Sequence, residues 1–183
     1  MNKKKDVALA ASILMVLTWV GTALGQAPSS PPKPGPEHKK LAYFAGKWVS
    51  EGETKPGPFG PGGKFTFSEN CEWFSSGFAL VCHSEGKMPQ GTVKGLSVLG
   101  YDPEEKTYIY FETNSMGENV FSRGVVEGDT WTWNNESKMG GKPVHMRFTL
   151  KQVSADSATY KFEMGSDNEP LKVVMEGKQT RVK

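Results

Sequence analysis

The chain has 183 residues with 22 basic and 20 acidic side chains, and its formal net charge is +2. Three lysines and one aspartate lie in the first 25 residues, so the rest of the chain has 19 groups of each sign. This balance excludes the strongly basic surface that attracts nucleic acids and anionic membranes, and we expect no nucleic-acid partner.

The first residues have the pattern of a secretory signal. Lys3–Lys5 precede an apolar run at 7–20, and Ala23–Gly25 places small residues where a signal peptidase cleaves. A membrane anchor is the alternative, but the run is shorter than the ~20 residues that span a bilayer. We therefore predict a signal peptide at 1–25, cleavage near Gly25, a secreted or periplasmic protein, and no membrane span after cleavage.

Residues 26–40 contain several prolines and almost no apolar side chains. This composition predicts a Pro-rich flexible tether, in which His38 would be solvated. Residues 41–183 remain, a length typical of one domain with one core.

From Gly46 onward apolar and polar residues alternate, and turns rich in Gly, Pro, Asn, Asp or Ser interrupt the alternation. This pattern is typical of short antiparallel strands joined by tight turns. Before Gly46, only 37–44 has the pattern of a short helical turn. We predict ten strands, at 46–54, 63–74, 78–87, 93–101, 106–114, 118–126, 129–135, 142–152, 157–164 and 169–182.

Ten strands in chain order, joined mostly by short turns, predict an all-β fold in the form of a single antiparallel up-and-down β-barrel. Closure of the barrel removes the exposed strand edges that invite aggregation. A two-sheet sandwich is the alternative, but its Greek-key connections usually need longer crossovers than this chain supplies.

The two cysteines lie at the ends of the segment Cys71–Cys82, with Ser76 and Gly77 at its centre. A two-residue hairpin loop there would place Cys71 directly opposite Cys82, within reach of a disulfide. Export to an oxidising compartment favours this bond. A redox-active pair or a metal site is the alternative, but the gap of ten residues suits neither. We predict a structural disulfide.

Gly46-Lys47-Trp48, after the short helical turn, resembles the start of lipocalins and fatty-acid-binding proteins. In these calycin barrels the tryptophan closes one end of the barrel, and an arginine near the last strand packs across it. The resemblance implies structural roles for Gly46, Trp48 and Arg181. Arg181 has the parity of Leu171 in the last strand, which would point its side chain inward.

A second resemblance covers most of 41–183. The segments that carry it are Leu99–Pro103, Lys106–Tyr108, Gly141–Val144 and Met146–Arg147. They resemble a bacterial family of exported or soluble domains of unknown function, which is regarded as lipocalin-like and distantly similar to nitrobindin. Nitrobindins bind haem through a histidine near the C-terminus, but this chain has no histidine after His145. We therefore predict no cofactor.

Alternation places two carboxylates inside the barrel. Glu69 shares a face with the aromatic residues of its strand, and Glu112 shares a face with Tyr110. Desolvation would raise the pKa of such a carboxyl group, which could then orient a polar ligand head. The alternatives are a position at the barrel mouth or a salt bridge with Arg123 or Arg147.

The inward-facing aromatic residues and the two glutamates form the predicted ligand site. Aromatic side chains line many small-molecule cavities, although they can equally fill the core of a small barrel. The predicted ligand-binding residues are Phe67, Glu69, Trp73, Tyr108, Tyr110, Glu112, Trp131, Trp133 and Phe148.

We predict no catalytic or metal-binding set. His83 and His145 lie opposite the apolar faces of their strands, which disfavours a shared metal site. Ser97 has no nearby base and no nucleophile elbow around it.

The leading hypothesis is an exported, non-enzymatic barrel that binds a small apolar or amphipathic molecule in its interior. A filled barrel that acts through its surface is one alternative, which an exposed apolar patch without a cavity would favour. A small-molecule enzyme is the other, which two convergent ionisable groups in a cavity would favour. The sequence leaves the ligand and the oligomeric state open.

Overall fold

The computed structural model describes residues 31–57, 60–167 and 169–183. The predicted signal peptide at 1–25, its cleavage site near Gly25 and the first residues of the predicted tether lie outside these ranges. The compact unit that contains the strands runs from Lys33 to Lys183. In the described ranges, no helix has the length and the hydropathy needed to cross a membrane.

Two short helical segments, α1 (Pro36–Lys40) and a 3₁₀ turn (Leu41–Tyr43), precede ten strands. The strands are β1 (Gly46–Thr54), β2 (Gly63–Phe74), β3 (Ala79–Met88), β4 (Gly91–Asp102), β5 (Thr107–Asn114), β6 (Asn119–Glu127), β7 (Thr130–Met139), β8 (Lys142–Ser154), β9 (Ser157–Ser166) and β10 (Lys172–Arg181). The ten predicted strands are confirmed. β10 begins later than the predicted 169 because Pro170, which has no N–H to donate, lies just before it.

Each strand pairs antiparallel with the next one along the chain, and β1 also pairs with β10, so the sheet closes into one barrel. Every strand therefore has two hydrogen-bonded neighbours, which leaves no free edge in the barrel. The predicted up-and-down barrel is confirmed, and the sandwich alternative is wrong.

Inward-facing glycines let large aromatic rings lie flat against the barrel wall. A Cβ atom on Gly124 would come within 2.5 Å of Trp133 Cδ1, and a Cβ atom on Gly86 within 2.5 Å of the Phe67 ring. Two further pairs of this kind are Gly52 with Phe65 and Gly177 with Tyr160. Rings that cover glycines in this way allow a sheet to curve strongly without leaving voids.

One end of the barrel is closed by α1 and the 3₁₀ turn, which together we call the plug. Trp48 beneath the plug is 1% exposed, and its indole N–H donates to the Phe44 carbonyl at 3.1 Å. The Arg181 guanidinium lies 4.2 Å from the centre of the Trp48 ring, the contact that the calycin resemblance implies. Arg181 also donates to the carbonyls of Tyr43, at 2.8 Å, and Ala45. The last strand therefore holds the plug in place.

α1 belongs to the plug, so the prediction of a flexible tether is wrong for Pro36–Lys40. His38 is buried, and its ring meets those of Phe78 and Tyr101 edge-on, with ring centres 5.1 and 5.5 Å away. Its Nδ1 accepts a hydrogen bond from the Gly35 N–H at 3.2 Å. The prediction of a solvated His38 is therefore wrong, because its charged neighbours in sequence lie on the outer side of a single helical turn.

The β2–β3 hairpin contains the predicted disulfide between Cys71 and Cys82, which are direct partners in the strand register. The loop differs from the prediction because pairing ends one residue earlier on each strand, so that the loop comprises 75–78. Ser76 and Gly77 adopt positive φ angles of 54° and 78°, which reverse the chain. A two-residue and a four-residue loop with the same centre give the same register, and the cysteine pairing is confirmed.

Candidate functional site

The candidate site is the interior of the barrel between its middle and its open end. At the closed end the inward-facing side chains of Leu80, Leu99 and Leu150 are at most 5% exposed and form packed core. Farther along the barrel axis, inward-facing side chains such as Phe67 and Phe148 remain partly accessible although strands surround them. Partial accessibility of enclosed side chains indicates open space, and we call this space the hollow.

Glu69 on β2 and Glu112 on β5 both face the hollow. The strand register places Ser84 opposite Glu69 and Ser97 opposite Glu112, on the two strands between them. The Tyr110 hydroxyl donates a hydrogen bond to the Glu112 carboxylate. The charge of Glu112 also acts on Glu69, so the two carboxyl groups lie close together. We call Glu69, Glu112 and Tyr110 the polar corner.

The buried surroundings of the polar corner change its titration. Burial, with the charge of Glu112 as the second cause, raises the pKa of Glu69 to about 7. Burial also raises the pKa of Glu112, although the hydrogen bond from Tyr110 lowers it. Burial and the two nearby glutamates raise the pKa of Tyr110 well above its usual value. Near neutral pH, Glu69 can therefore exchange a proton, while the Tyr110 hydroxyl remains a donor.

The disulfide lies beside Glu69 and forms part of the floor of the hollow. A Glu69 carboxylate oxygen and the sulfur atoms of Cys71 and Cys82 are all within 4.8 Å of one another. Sulfur atoms joined in a disulfide are not thiolates, the form of cysteine that binds metals. In this oxidised form, the three residues are not a metal site.

Across the hollow, Trp133, Phe148 and Tyr160 form an aromatic wall on β7, β8 and β9. The ring centres of Trp133 and Phe148 are 6.1 Å apart, and those of Phe148 and Tyr160 are 5.6 Å apart. Trp133 also lies 6.4 Å from Tyr110, which joins the wall to the polar corner. Together they offer an apolar surface with a polar group at one side, the arrangement typical of small-molecule sites.

Two buried donors in the interior, the indole N–H groups of Trp131 and Trp133, have no hydrogen-bond partner in the described part of the chain. Burial raises the pKa of Tyr160 to about 12, although the nearby Ser50 hydroxyl lowers it, so the phenol remains protonated. A buried donor without an acceptor costs about 1–3 kcal/mol. A water molecule or a ligand atom that accepted these hydrogen bonds would remove that cost.

The structure brings some of the predicted site residues together around the hollow: Phe67, Glu69, Tyr110, Glu112, Trp133 and Phe148. It does not bring Trp73, Tyr108 and Trp131 there. Trp73 lies near the tip of the β2–β3 hairpin at the closed end and is 40% exposed. Trp131 is 1% exposed within the closed-end core. The Tyr108 hydroxyl donates to the Glu37 carboxylate of α1 at 2.6 Å and so helps to hold the plug. Parity gives the face of a strand but not the depth along the barrel axis, which explains the three errors.

Small inward-facing residues beside the polar corner were missed by sequence reasoning. A Cβ atom on Gly95 would lie 2.6 Å from Ser84 Oγ and 3.6 Å from Glu112 Oε1. Ser84, Gly95 and Ser97 therefore give the carboxyl groups room on the strands between β2 and β5. They could have been found from the alternation pattern, because small side chains recur at the inward-facing positions of two adjacent strands.

The salt-bridge alternative for the two carboxylates is wrong. Arg147 faces outward, and its Nε atom lies 3.0 Å from Glu163 Oε2. Arg123 also faces outward, with its guanidinium 5.7 Å from the centre of the Phe121 ring.

Two grooves lie along the outer wall. One of about 540 Å³ contains Phe121 and His145 in its lining, where β6 and β7 are paired only from Arg123 to Glu127. His145 bridges two carboxylates there, with Asp167 at 2.6 Å and Glu136 at 3.3 Å. The other groove, of about 460 Å³ along β1–β4, has a lining that includes the outward-facing Ser68, His83 and Lys94.

Residues 33–181 match the family model described as "Protein of unknown function (DUF1579)". No curated protein matches the chain. Among solved structures, Rv2717c from M. tuberculosis is similar with a TM-score of 0.57 at 13% identity, over 81% of this chain and 99% of that one. The S-type phycobiliprotein lyase CPES from Guillardia theta has a TM-score of 0.52 at 11% identity, over 80% of this chain and 93% of that one.

At these low identities, the two solved structures show the fold alone. Both have a lipocalin-like barrel fold, in agreement with the ten-stranded closed sheet described above. The family match covers most of the chain and begins at the first residue of the compact unit, Lys33. The chain therefore belongs to the DUF1579 family and has the lipocalin-like calycin fold.

Proposed function

We propose that the protein is an exported, non-enzymatic barrel that binds a small amphipathic molecule in its interior. The observation that carries this proposal is a polar corner, made by Glu69, Glu112 and Tyr110, that faces an aromatic wall inside a partly accessible barrel. An apolar ligand body would pack on the wall while its polar head met the corner.

Two features support export. The sequence of residues 1–25 has the pattern of a secretory signal. The Cys71–Cys82 disulfide is the form that cysteines adopt in oxidising compartments, whereas thiols in the cytosol are kept reduced.

Native mass spectrometry of the protein purified gently from its exported form tests both parts of the proposal. We expect a chain that begins near Gln26, two hydrogens lighter than its reduced form, with an adduct of small-molecule mass that is lost on denaturation. Ser84→Leu should reduce the adduct because it fills the hollow beside the polar corner. Ser68→Leu, the same change on the outward face of the paired strand, should retain it.

A spectrum that stays free of adduct, even after incubation with lipid and metabolite extracts, would contradict the binding proposal. It would favour the alternative of a surface interaction module. Phe111 and Phe121 support that alternative, because they are direct partners on the outer wall and are 37% and 51% exposed.

An enzyme acting in the same hollow is the second candidate. The observation that favours it is the pKa of about 7 of Glu69, since a general acid or base works best when its pKa lies near the ambient pH. Chemical analysis of the released ligand separates the two functions. A binding protein returns the ligand unchanged after prolonged incubation, whereas an enzyme converts it at a rate that Glu69→Gln abolishes.

A further inference from the structure

We infer that the hollow selects amphipathic amines, with the cationic amino group beside Glu69 and Glu112 and the apolar body against Trp133 and Phe148. This inference rests on the proposed binding function and names the chemical class of its ligand. Two observations support the inference: the charged groups in the middle of the barrel are carboxyl groups, and no basic side chain of the described residues lies beside them.

The inward-facing strand residues that the structure describes include two acidic side chains, Glu69 and Glu112. The basic residues on the same inward-facing positions lie at the two ends of the barrel. Arg181 is at the closed end, and the exposed Lys142 and Lys172 are at the open rim. Among the residues that the structure describes, the middle of the barrel thus holds two carboxyl groups and no basic side chain.

Two of the three basic groups at the ends, Arg181 and Lys172, already have partners of their own. Arg181 donates to the Tyr43 carbonyl at 2.8 Å, and its Nε atom lies 3.2 Å from Asp156 Oδ1. At the rim, Lys172 Nζ lies 3.5 Å from Glu169 Oε2. No basic group of the described residues acts on Glu69, so a cationic ligand would supply the counter-charge that the polar corner lacks.

Within the polar corner, the two carboxyl groups differ in their hydrogen-bond partners. Glu112 accepts a hydrogen bond from Tyr110, whereas Glu69 has no hydrogen bond or ion pair with the other described residues. An ammonium group can donate three hydrogen bonds and would be attracted by the faces of the nearby Tyr110 and Trp133 rings. It would supply the donor and the charge that Glu69 lacks.

An independent observation also indicates an absent ligand. Trp133 is only 6% exposed, yet its indole N–H has no acceptor in the described residues. Trp133 belongs to the wall that would contact the body of the ligand. Its N–H is therefore a second polar group without a partner, besides the Glu69 carboxylate, in the described part of the same interior.

The test compares three probes of equal chain length: decylamine, 1-decanol and decanoate. Their affinities for the intact, disulfide-bonded protein are measured by isothermal titration calorimetry at pH 8. We expect decylamine to bind at least tenfold more tightly than decanol, and decanoate to bind most weakly. The double variant Glu69→Gln/Glu112→Gln should reduce the preference for the amine over the alcohol to less than threefold. Glu72→Gln, on the outward face of β2, should leave it unchanged.

The outcomes separate this inference from the proposed function. Equal affinities for amine and alcohol, or tighter binding of decanoate, would overturn the amine inference while interior binding stands. Failure of decylamine to bind would overturn it as well. Failure of the proposed function is recognised separately, by the adduct-free native mass spectrum.

A pH titration gives a second readout that a purely structural role would not change. Glu69 faces Glu112 and Tyr110 from β5, Ser84 from β3, and Trp48 from β1, against which Arg181 packs. Since the pKa of Glu69 is about 7 and an alkylamine stays protonated up to about pH 10, the affinity for decylamine should rise severalfold from pH 6 to pH 8. Glu69→Gln should flatten this rise, and an identical rise in the variant would contradict the role of Glu69.

Discussion

At the scale of single residues, the burial of Glu69 makes the stability of the fold depend on pH. The pKa of this carboxyl group is raised from 4.5 to about 7 in the folded protein. Between these values the folded protein holds a proton that the unfolded chain has released, so an increase in pH lowers the free energy of unfolding. The decrease amounts to about 3 kcal/mol above pH 7, because one pKa unit corresponds to about 1.4 kcal/mol.

Glu69→Gln should remove this pH dependence. The variant should be more stable than the wild type at pH 8 by about 2–3 kcal/mol, and nearly equal in stability near pH 4.5, where the folded wild-type carboxyl is protonated and the unfolded one is about half protonated. Urea unfolding at pH 4.5, 6 and 8 measures the difference. Glu127→Gln, on the exposed end of β6, is the control. If Glu69→Gln and wild type kept a constant difference at all three pH values, the raised pKa would be refuted.

Gly124→Ala should destabilise the barrel, because the new Cβ atom would lie 2.5 Å from the Trp133 ring and 2.9 Å from the Thr132 carbonyl oxygen. We expect a loss of about 1–3 kcal/mol, typical of overpacking. The matched control is Gly100→Ala on the outward face of β4, where a Cβ atom meets nothing within 4 Å. Denaturant unfolding should show that only the first change is harmful. Equal effects of the two changes would argue against ring coverage of the glycine.

The sequence permits good prediction of the face of the sheet on which a side chain lies, but not of its position along the barrel axis. Alternation correctly turned Glu69, Tyr110 and Glu112 inward, because a strand has a strict period of two. It also turned Trp73 inward, yet that side chain is 40% exposed, since its strand runs past the closed end of the barrel. The position along the barrel axis depends on the stagger between neighbouring strands, which no single strand encodes.

At the scale of elements, the disulfide closes a short loop in the β2–β3 hairpin and also forms part of the floor of the hollow. Replacement of both Cys71 and Cys82 by Ala should lower the free energy of unfolding by about 2–3 kcal/mol, the effect expected from removing so short a loop constraint. Thermal unfolding of the double variant measures the loss. The reduced wild type should lose a similar amount, and a reduced protein as stable as the oxidised one would contradict the prediction.

Element boundaries were predictable where turn chemistry marked them. Gly63 and Gly91 begin strands with positive φ angles, a conformation in which glycine is favoured. The helical turn predicted at 37–44 agrees with α1 and the 3₁₀ turn, but a five-residue helix has too few positions to show that it packs on the barrel, and Pro36–Lys40 was therefore also assigned to a tether. Its place in the fold depends on the burial of His38 against Phe78 and Tyr101, residues that are distant in sequence.

At the scale of the whole molecule, Arg181 connects the last strand to the plug that precedes the first strand. Arg181→Met should lower the melting temperature markedly, because it removes the cation–π contact with Trp48, worth about 0.5–2 kcal/mol, and leaves the Tyr43 and Ala45 carbonyls without their donor. We expect a total loss of about 2–4 kcal/mol in the free energy of unfolding.

Lys178→Met on the same strand is the control for this change. Lys178 is exposed and forms only a 3.5 Å surface ion pair with Glu51, so its replacement should cost less than about 1 kcal/mol. Differential scanning calorimetry compares the two variants. Equal shifts in melting temperature would show that Arg181 does not hold the plug.

The closed barrel was predictable as a whole because strand number and short turns leave few other ways to pair every edge. The resemblance at Gly46-Lys47-Trp48 also pointed to the contact between Trp48 and Arg181, which the structure contains. The hollow and the pairing of its two carboxyl groups were not predictable in this way. They depend on which small residues of the intervening strands, such as Ser84 and Gly95, lie at the same position along the barrel axis as the carboxyl groups.

The pairing of β1 with β10 also determines when the chain can fold during its synthesis. β1 is the first of the ten strands to leave the ribosome, but one of its partners is β10, the last of the ten in chain order. Until then β1 has an open edge, and so does each newest strand, which makes the nascent chain prone to pairing with other chains. The barrel can therefore close only after β10 has emerged, and the interval before it emerges is when a chaperone would be needed most.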